Sequence, residues 1–324
     1  MNNLTCRICG NQENNDQIYH VREMLFGTNK SFDYFECGRC HCLQIVEIPE
    51  NIAEFYPETY SAYNKHKGIK KLNAISQFLK YKKSQYCLGR NKNLIGGAMT
   101  YFFGGGFVEK LAPANVDFND EILDVGTGTG GRILDLKRRG FKNLSGSDIF
   151  IPGDIFYDNG VKIFKKDVSE IHETYDFIML NHSLEHMPDP LRILKELYRL
   201  LKNGKYVLIR IPVSDSYSWK HYRENWVDLD APRHFFLHTR KSMEILAKQA
   251  GFNVSDVVYD STEYQFAGSE QYLKDIPAYA ENSYFINPEK SIFSKKDIKR
   301  FKKKAKKLND NEEGDTACFY LYKP

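Results

Sequence analysis

The sequence predicts an α/β fold built on a mostly parallel sheet, with a small metal-stapled module in front of it. Three observations carry this expectation. First, Ile122-Leu123-Asp124-Val125 runs into Gly126-Thr127-Gly128-Thr129-Gly130-Gly131, which reads as a buried strand, a glycine-dense turn and the start of a helix. Second, from Asn119 onward strand-like and helix-like runs alternate, as a parallel sheet with right-handed crossovers requires. Third, Cys6-Arg7-Ile8-Cys9 and Cys37-Gly38-Arg39-Cys40 are two C-x-x-C turns in one short region.

Residues 1–55 form the expected N-terminal module, with short strands at 34–36 and 43–46. Each C-x-x-C turn can set two thiolates on one side of a tight bend, and two such turns make a tetrahedral sulfur cage. In a reducing compartment zinc is favoured over disulfides. The ligand set is Cys6, Cys9, Cys37 and Cys40, with His41 and Cys42 near enough in sequence to stand in for the fourth ligand. A closed four-sulfur site has no open position and reads as structural. Cys87 and Cys318 are isolated apolar residues.

An aromatic hinge at 55–60 opens a helical connector over 56–117. Residues 64–112 are basic, and Ile69, Leu72, Ile75 and Leu79 are spaced along one helix face. Glycines at 96–97 and 104–106 interrupt the pattern, which suits either a mobile lid or a packed connector.

Residues 118–324 form the main domain. A helix at 132–139 follows the glycine turn, and further strands are expected at 145–148, 161–164, 175–181, 206–211 and 254–259. Gly140, Gly204 and Gly251 each follow a periodic run and read as C′ glycines. Thr239 is the expected N-cap of a helix over 240–250. The strand-rich run 317–322 closes the sheet, so 261–312 is an insertion. Within it, Lys295 to Lys307 is very basic, yet Ile298, Phe301, Ala305 and Leu308 trace a helical stripe of a solvated amphipathic helix.

The glycine turn predicts a nucleotide-like ligand over the first strand, at the carboxyl edge of the sheet. The spacing also fits G-x-G-x-x-G, so a dinucleotide is an alternative. Asp124 and the order that follows favour the former, because a carboxylate there suits a cationic amino group and repels a pyrophosphate. The order that follows is a strand at 175–181, then His182-Ser183-Leu184-Glu185-His186-Met187-Pro188-Asp189-Pro190, a helix, and a strand at 206–211. Over roughly 118–260, plus the last strand, the chain resembles the class I S-adenosylmethionine-dependent methyltransferases. The resemblance implies a Rossmann-like seven-stranded sheet whose last strand is antiparallel. It places Asp124, Gly126, Gly128 and Gly130 on the methionine part of the cofactor and Asp148 on the ribose hydroxyls. It places Asp167, with Val168, at the adenine amino group, and Asn181 and His182 in the loop flanking the cofactor.

Methyl transfer mainly requires alignment of the acceptor with the methyl group. A hydroxyl acceptor must also lose a proton, so a histidine or carboxylate within reach is expected. His182, Glu185 and His186 would share one face if a helix began there. The arrangement resembles the Glu-His pair of metal-dependent ubiquinone-pathway O-methyltransferases, which raises a catalytic divalent metal as an alternative. His182 stands where they carry a carboxylate. A second cluster, Asp230-Ala231-Pro232-Arg233-His234, resembles bacterial methyltransferases with N-terminal zinc modules, often from surface-sugar pathways. His234 is the candidate base, and Arg233 a candidate partner for an acceptor phosphate or carboxylate, or else for Asp228 or Asp230. Tyr217, Trp219, Tyr222 and Trp226 suit sugar rings or ordinary packing equally.

The expected function is therefore methylation, at oxygen or carbon, of a small hydroxylated acceptor such as a sugar or nucleotide-sugar. Ribosomal RNA guanine methylation and a degenerate cofactor-binding scaffold are the alternatives. A net charge of +4 does not argue for nucleic acid. Asp124, the glycine turn and Asp148 are intact, which opposes the scaffold. The N-terminus reads as no signal peptide, and the apolar stretch 94–108 is too short and glycine-broken for a membrane span, so a cytoplasmic protein is expected.

Overall fold

The structure is a computed structural model in which residues 4–57 and 73–324 are described. Ile69, Leu72 and positions 58–60 of the aromatic hinge lie outside the described residues.

The N-terminal region is an antiparallel sheet of β1 (Ile18–Arg22), β2 (Ser31–Glu36) and β3 (Leu43–Ile45). Helices α1 (Ala74–Cys87) and α2 (Leu94–Phe103) follow, each capped by an asparagine, Asn73 and Asn93, whose side chain accepts a backbone N–H.

The main sheet begins with β4 (Glu121–Val125), α3 (Gly131–Arg138), β5 (Asn143–Ser147), β6 (Ile155–Phe156), β7 (Lys162–Phe164) and β8 (Tyr175–Asn181). It continues through α4 (Pro190–Leu200), β9 (Leu201–Pro212), α5 (Tyr217–Tyr222), β10 (Phe236–Leu237) and α6 (Arg240–Gln249). The last elements are β11 (Asn253–Tyr259), α7 (Tyr264–Tyr272), α8 (Lys295–Asp310) and β12 (Thr316–Tyr322). The strand order is β11-β12-β9-β8-β4-β5-β7-β6. Strands β4, β5, β7, β8 and β9 run parallel to their neighbours among themselves, and β12 enters antiparallel between β9 and β11.

The sheet has eight strands where seven were expected. The extra one is the two-residue β6, which folds back antiparallel on β7 at the edge. Two residues carry no alternation, so the segment gives no strand signal in sequence. Gly204 is also corrected. Helix α4 stops at Leu200, Leu201 is already extended, and Gly204, at φ +72°, sits inside β9 and donates its N–H to the Lys323 carbonyl. Gly140 and Gly251 do adopt positive φ just past α3 and α6, and Thr239 caps α6 in a capping box with Ser242.

Alternate residues of the central strands feed two cores. Leu123, Val125, Ile178, Leu180 and Ile209 point into one, which they share with α4, α6 and the N-terminal sheet. Ile122, Phe177, Met179 and Leu208 point into the other, against α3 and residues 107–118. The N-terminal sheet is joined to the main domain by a strand: β10 pairs antiparallel with β3. The insertion packs there too, through Ala278 and Tyr279 N–H donors to the Met24 and Leu25 carbonyls. In α8, Phe301, Ala305 and Leu308 are buried, as the stripe predicted. No helix among the described residues is long and apolar enough to cross a membrane.

Candidate functional site

The first functional feature is the bend after β4. Gly126, Gly128 and Gly130 have φ of +73°, +57° and +86°, a region that L side chains rarely adopt. A Cβ on Gly126 would overlap the Ser183 side chain, and one on Gly130 would overlap Ile163, so here both conformation and space demand glycine. Gly126 and Thr127 donate their N–H groups to the Ser147 carbonyl, and Gly128 donates to Asp148 Oδ2 at 2.8 Å. The bend is thereby tied to the end of β5.

Asp124 and Asp148 flank this bend, and both are buried. Asp148 Oδ1 accepts the Phe150 N–H at 2.8 Å, so each of its oxygens holds one backbone donor and keeps a lone-pair direction free. Asp124 accepts the Thr127 hydroxyl at 2.7 Å. Its carboxyl is pushed up to about 6, chiefly by burial, against the Thr127 hydrogen bond and the Arg132 charge that act the other way. It forms no ion pair among the described residues. Arg132 instead lies over the Phe107 ring, 4.0 Å from its centroid.

A cavity of about 230 Å³ opens between the bend, the β5 and β8 ends and α4. Gly126, Asp148, Phe150, Asp167, Val168, His182 and His186 are among its lining residues. Asp167 caps the turn that begins at Val168, in a capping box with Glu170, and takes both guanidinium nitrogens of Arg192 at 2.8 and 3.1 Å. Arg192 first, and the Ser169 hydrogen bonds after it, hold its carboxyl well below the usual carboxylate range. Asn181 ends β8, and its buried Oδ1 has no hydrogen-bond partner among the described residues. The cofactor implied by the resemblance fits this donor set: an underneutralised carboxylate at 124, an unobstructed bend, a two-oxygen acceptor at 148 and an orphaned amide oxygen at 181.

The expected helical face at 182–186 is corrected. Leu184–His186 is a single 3-10 turn, and His182 precedes it with φ +52°. The chain cannot continue a regular helix back through that conformation. The three residues and His234 converge nonetheless. Glu185 is fully buried; His182 Nδ1 lies 3.3 Å and His234 Nε2 4.0 Å from its Oε1, and neither carboxylate oxygen has a conventional hydrogen bond among the described residues. Burial would raise the Glu185 carboxyl, but the three imidazoles around it, His182 nearest at 3.3 Å, more than offset this and bring it down to about 2.

The tautomers of two of these imidazoles follow from their partners. His186 Nδ1 meets the Arg233 carbonyl at 2.9 Å, and His234 Nδ1 meets the Asp228 carbonyl at 2.7 Å. A carbonyl only accepts, so each Nδ1 carries a proton, and in the neutral ring Nε2 is the atom with the lone pair. Burial lowers the pKa of His186, keeping it neutral. Ligand atoms of Glu185, His186 and His234 lie within 4.8 Å of one another, so these three could also hold a cation, whereas His182 is not in that set. His182 Nε2 is instead hydrogen-bonded to Arg210, which pairs with Asp260.

Two sequence-derived candidates turn out to be occupied. Arg233 is fully buried and pairs with Asp230 at 2.6 Å and Glu23 at 2.8 Å, and it donates to the Phe55 carbonyl. It has no free face for an acceptor. Trp219, Tyr222 and Trp226 are buried as well, with Trp219 edge-on to Tyr19 at 4.9 Å and Trp226 donating to Asp315. Glu23, 210 residues from Arg233 in sequence, could not be found from local pattern. Nor could Tyr56, which reaches His186 through its hydroxyl at 3.2 Å and stacks toward Phe150.

The four N-terminal cysteines meet as the two C-x-x-C turns require. Cys6 and Cys40 sulfurs are 3.6 Å apart, as are those of Cys9 and Cys37. A tetrahedron with bonds of ~2.3 Å has edges of roughly 3.8 Å, so the set fits zinc. Backbone N–H groups of Ile8 and Cys9 point at Cys6 Sγ, and those of Arg39 and Cys40 at Cys37 Sγ, which favours thiolates. Cys42 faces His238, and His41 pairs with Glu36, so neither joins the cluster.

A sequence profile of the family described as "Methyltransferase domain" matches residues 94–257. No curated protein sequence matches. Among solved structures, one from Thermotoga maritima, described as a possible histamine N-methyltransferase, is 18% identical, covers 64% of this chain and 83% of its own, and has a TM-score of 0.39. A putative methyltransferase from Bacillus halodurans is 15% identical over 68% of this chain and 100% of its own, with a TM-score of 0.42. A putative S-adenosylmethionine-dependent methyltransferase from Listeria monocytogenes is 16% identical over 66% and 96%, with a TM-score of 0.40. With the family profile matched over residues 94–257, from α2 into β11, the chain belongs to the methyltransferase-domain family and is an S-adenosylmethionine-dependent methyltransferase.

Proposed function

We propose that the enzyme methylates a small hydroxylated acceptor, a sugar or nucleotide-sugar, at oxygen or carbon, with His234 as the general base. The observation that carries this reading is the buried Glu185 with three imidazoles around it beside the cofactor cavity. When bound, the cofactor supplies an activated methyl group, so the chain's own task is to orient the acceptor and take up its proton.

His234 is set up for that task. With Nδ1–H given to Asp228, Nε2 can accept the acceptor's O–H or C–H proton. The resulting imidazolium would lie 4.0 Å from Glu185 Oε1 and 3.8 Å from Asp230 Oδ2. Both carboxyls are held below their ordinary range, Asp230 by the Arg233 and His234 charges against its burial. They therefore stay ionised and stabilise the protonated base. His186 and His182 complete the ring around Glu185 and orient it. We expect His234→Gln to lower kcat by about 100-fold or more, the usual weight of a general base, while the cofactor Kd stays within about twofold. Normal turnover would remove His234 from the chemistry. Chelation separates the alternative in which Glu185, His186 and His234 bind a divalent cation: turnover lost on chelation and restored by Mg2+ or Mn2+ would favour the metal.

In the same reading Asp124 receives the cationic amino group of the methionine part, the bend of Gly126, Gly128 and Gly130 lies under it, and Asp148 holds the ribose diol. Asp167, Val168 and Asn181 border the base. Asp124 makes binding pH-dependent with a definite sign. Its carboxyl titrates near 6 in the free protein. The bound cation favours the ionised form, so protons compete with the cofactor. Affinity should be level near pH 7 and above, and fall about tenfold between pH 7 and pH 5. Asp124→Asn should flatten that dependence. Calorimetry at both pH values reads this out, and an affinity that rises on acidification would refute the assignment. The four-cysteine cluster is taken as a structural zinc site, as its closed geometry suggests.

A further inference from the structure

Helix α2 presents its apolar side to solvent. Leu94, Ile95, Ala98, Tyr101 and Phe102 recur at i, i+1, i+4, i+7 and i+8, the spacing of one helix face. In a globular protein such a stripe normally faces the core. Here Leu94 is 91% exposed, Tyr101 85% and Phe102 74%, and Phe103 beside them is 75% exposed. The reason lies on the other side of the helix. Gly96 is buried against α1, where a Cβ would come within 2.6 Å of Tyr86 Cβ, and Gly97 lies against the Tyr86 ring. The two glycines bring the backbone of α2 onto α1 and so turn the apolar stripe outward. An array of this size on one element marks an interaction surface rather than scattered exposure.

The charge around it selects the partner. Over the described residues 73–108 the sequence has four lysines and one arginine and no aspartate or glutamate. Lys92, exposed, stands immediately before the helix, whereas Arg90 is turned to Asp117 and the Asn115 carbonyl. We propose that α2 is a docking element for an anionic lipid surface: its apolar face enters the boundary between headgroups and acyl chains, and the neighbouring cations meet the lipid phosphates. Ten residues of helix extend about 15 Å, half the ~30 Å of a hydrocarbon core, so the helix lies in the interface and does not span. Aliphatic Leu94 and Ile95 suit acyl chains and have no role in stacking on nucleic-acid bases. The interaction is independent of the acceptor assigned above.

The test is sedimentation of the full chain with phosphatidylcholine vesicles, with and without 30% phosphatidylglycerol, at 0.1 M and 0.5 M salt. The expected result is binding to the anionic vesicles, weakened at 0.5 M salt by screening. A double variant, Leu94→Ser with Phe102→Ser, should lose at least tenfold in partitioning. Both positions are exposed, so its cofactor affinity and melting temperature should match those of the parent. Failure of the parent chain to sediment with anionic vesicles would overturn the proposal. So would equal sedimentation of the double variant. Light scattering that shows a dimer dissolved by the double variant, or RNA binding lost in it, without vesicle binding, would overturn it in favour of a second copy or of RNA.

Discussion

Serine at Cys37, or exhaustive chelation, is expected to unfold the N-terminal sheet and lower the melting temperature by more than about 10 °C. The sulfur cluster joins the turn before β1 to the turn between β2 and β3. A structural zinc of this type is worth about 10 kcal/mol or more, which is comparable to the whole stability of a domain, about 5–15 kcal/mol. The loss should not stop at the module. β3 carries β10, Tyr34 donates its hydroxyl to the His234 carbonyl, and Thr239 donates to the Cys40 carbonyl at 2.7 Å. Glu23 neutralises part of the buried Arg233. Detaching the sheet would leave Arg233 short of a partner in a buried setting, which is strongly destabilising. Turnover should therefore fall with zinc content. Calorimetric scans alongside metal analysis measure this, and an unchanged melting temperature in protein shown to be zinc-free would refute it.

Asp148→Ala is expected to weaken cofactor binding by about 100-fold or more. Two effects add. The variant loses the acceptors for a diol, and charge-assisted hydrogen bonds contribute about 1.5–3 kcal/mol each. It also releases the Gly128 and Phe150 N–H groups that Asp148 now holds. The bend would then lose one of its three hydrogen bonds to the end of β5, keeping those of Gly126 and Thr127 to the Ser147 carbonyl. Asp148→Asn keeps one acceptor oxygen and should fall between the two. Titration calorimetry on folded variants gives the answer, and parent-like affinity in Asp148→Ala would end the ribose assignment.

These effects differ in how visible they were before folding. Asp148 was legible because a strand, an acidic end and a distance from the glycine turn are local signals. Asp124 was legible for the same reason, although its raised pKa depends on burial by β5 and β8 on either side. The 182–186 segment was only half legible. Its residues do converge on Glu185, but through a 3-10 turn and a left-handed His182 rather than through a helix face. For Arg233 the sequence allows an acceptor anion or a pair with Asp228 or Asp230, and the fold takes the pair with Asp230 and adds Glu23. The aromatic run from Tyr217 to Trp226 suits either reading in sequence, and the fold buries three of its four rings, Trp219 against Tyr19 and Trp226 with its N–H on Asp315.

The α/β order, the glycine bend with its flanking acids, the caps of α3 and α6 and the meeting of the four N-terminal cysteines are all readable from the sequence alone. All of these rest on backbone conformation and periodicity over a few residues, where glycine, capping side chains and apolar spacing act directly. Only the tertiary structure decided that β10 completes the N-terminal sheet, that Glu23 and Asp230 hold Arg233, that Asp228 orients His234 and that the stripe of α2 faces outward. Those outcomes depend on which charges are buried together and which helix faces can approach closely, and such terms arise between segments up to two hundred residues apart.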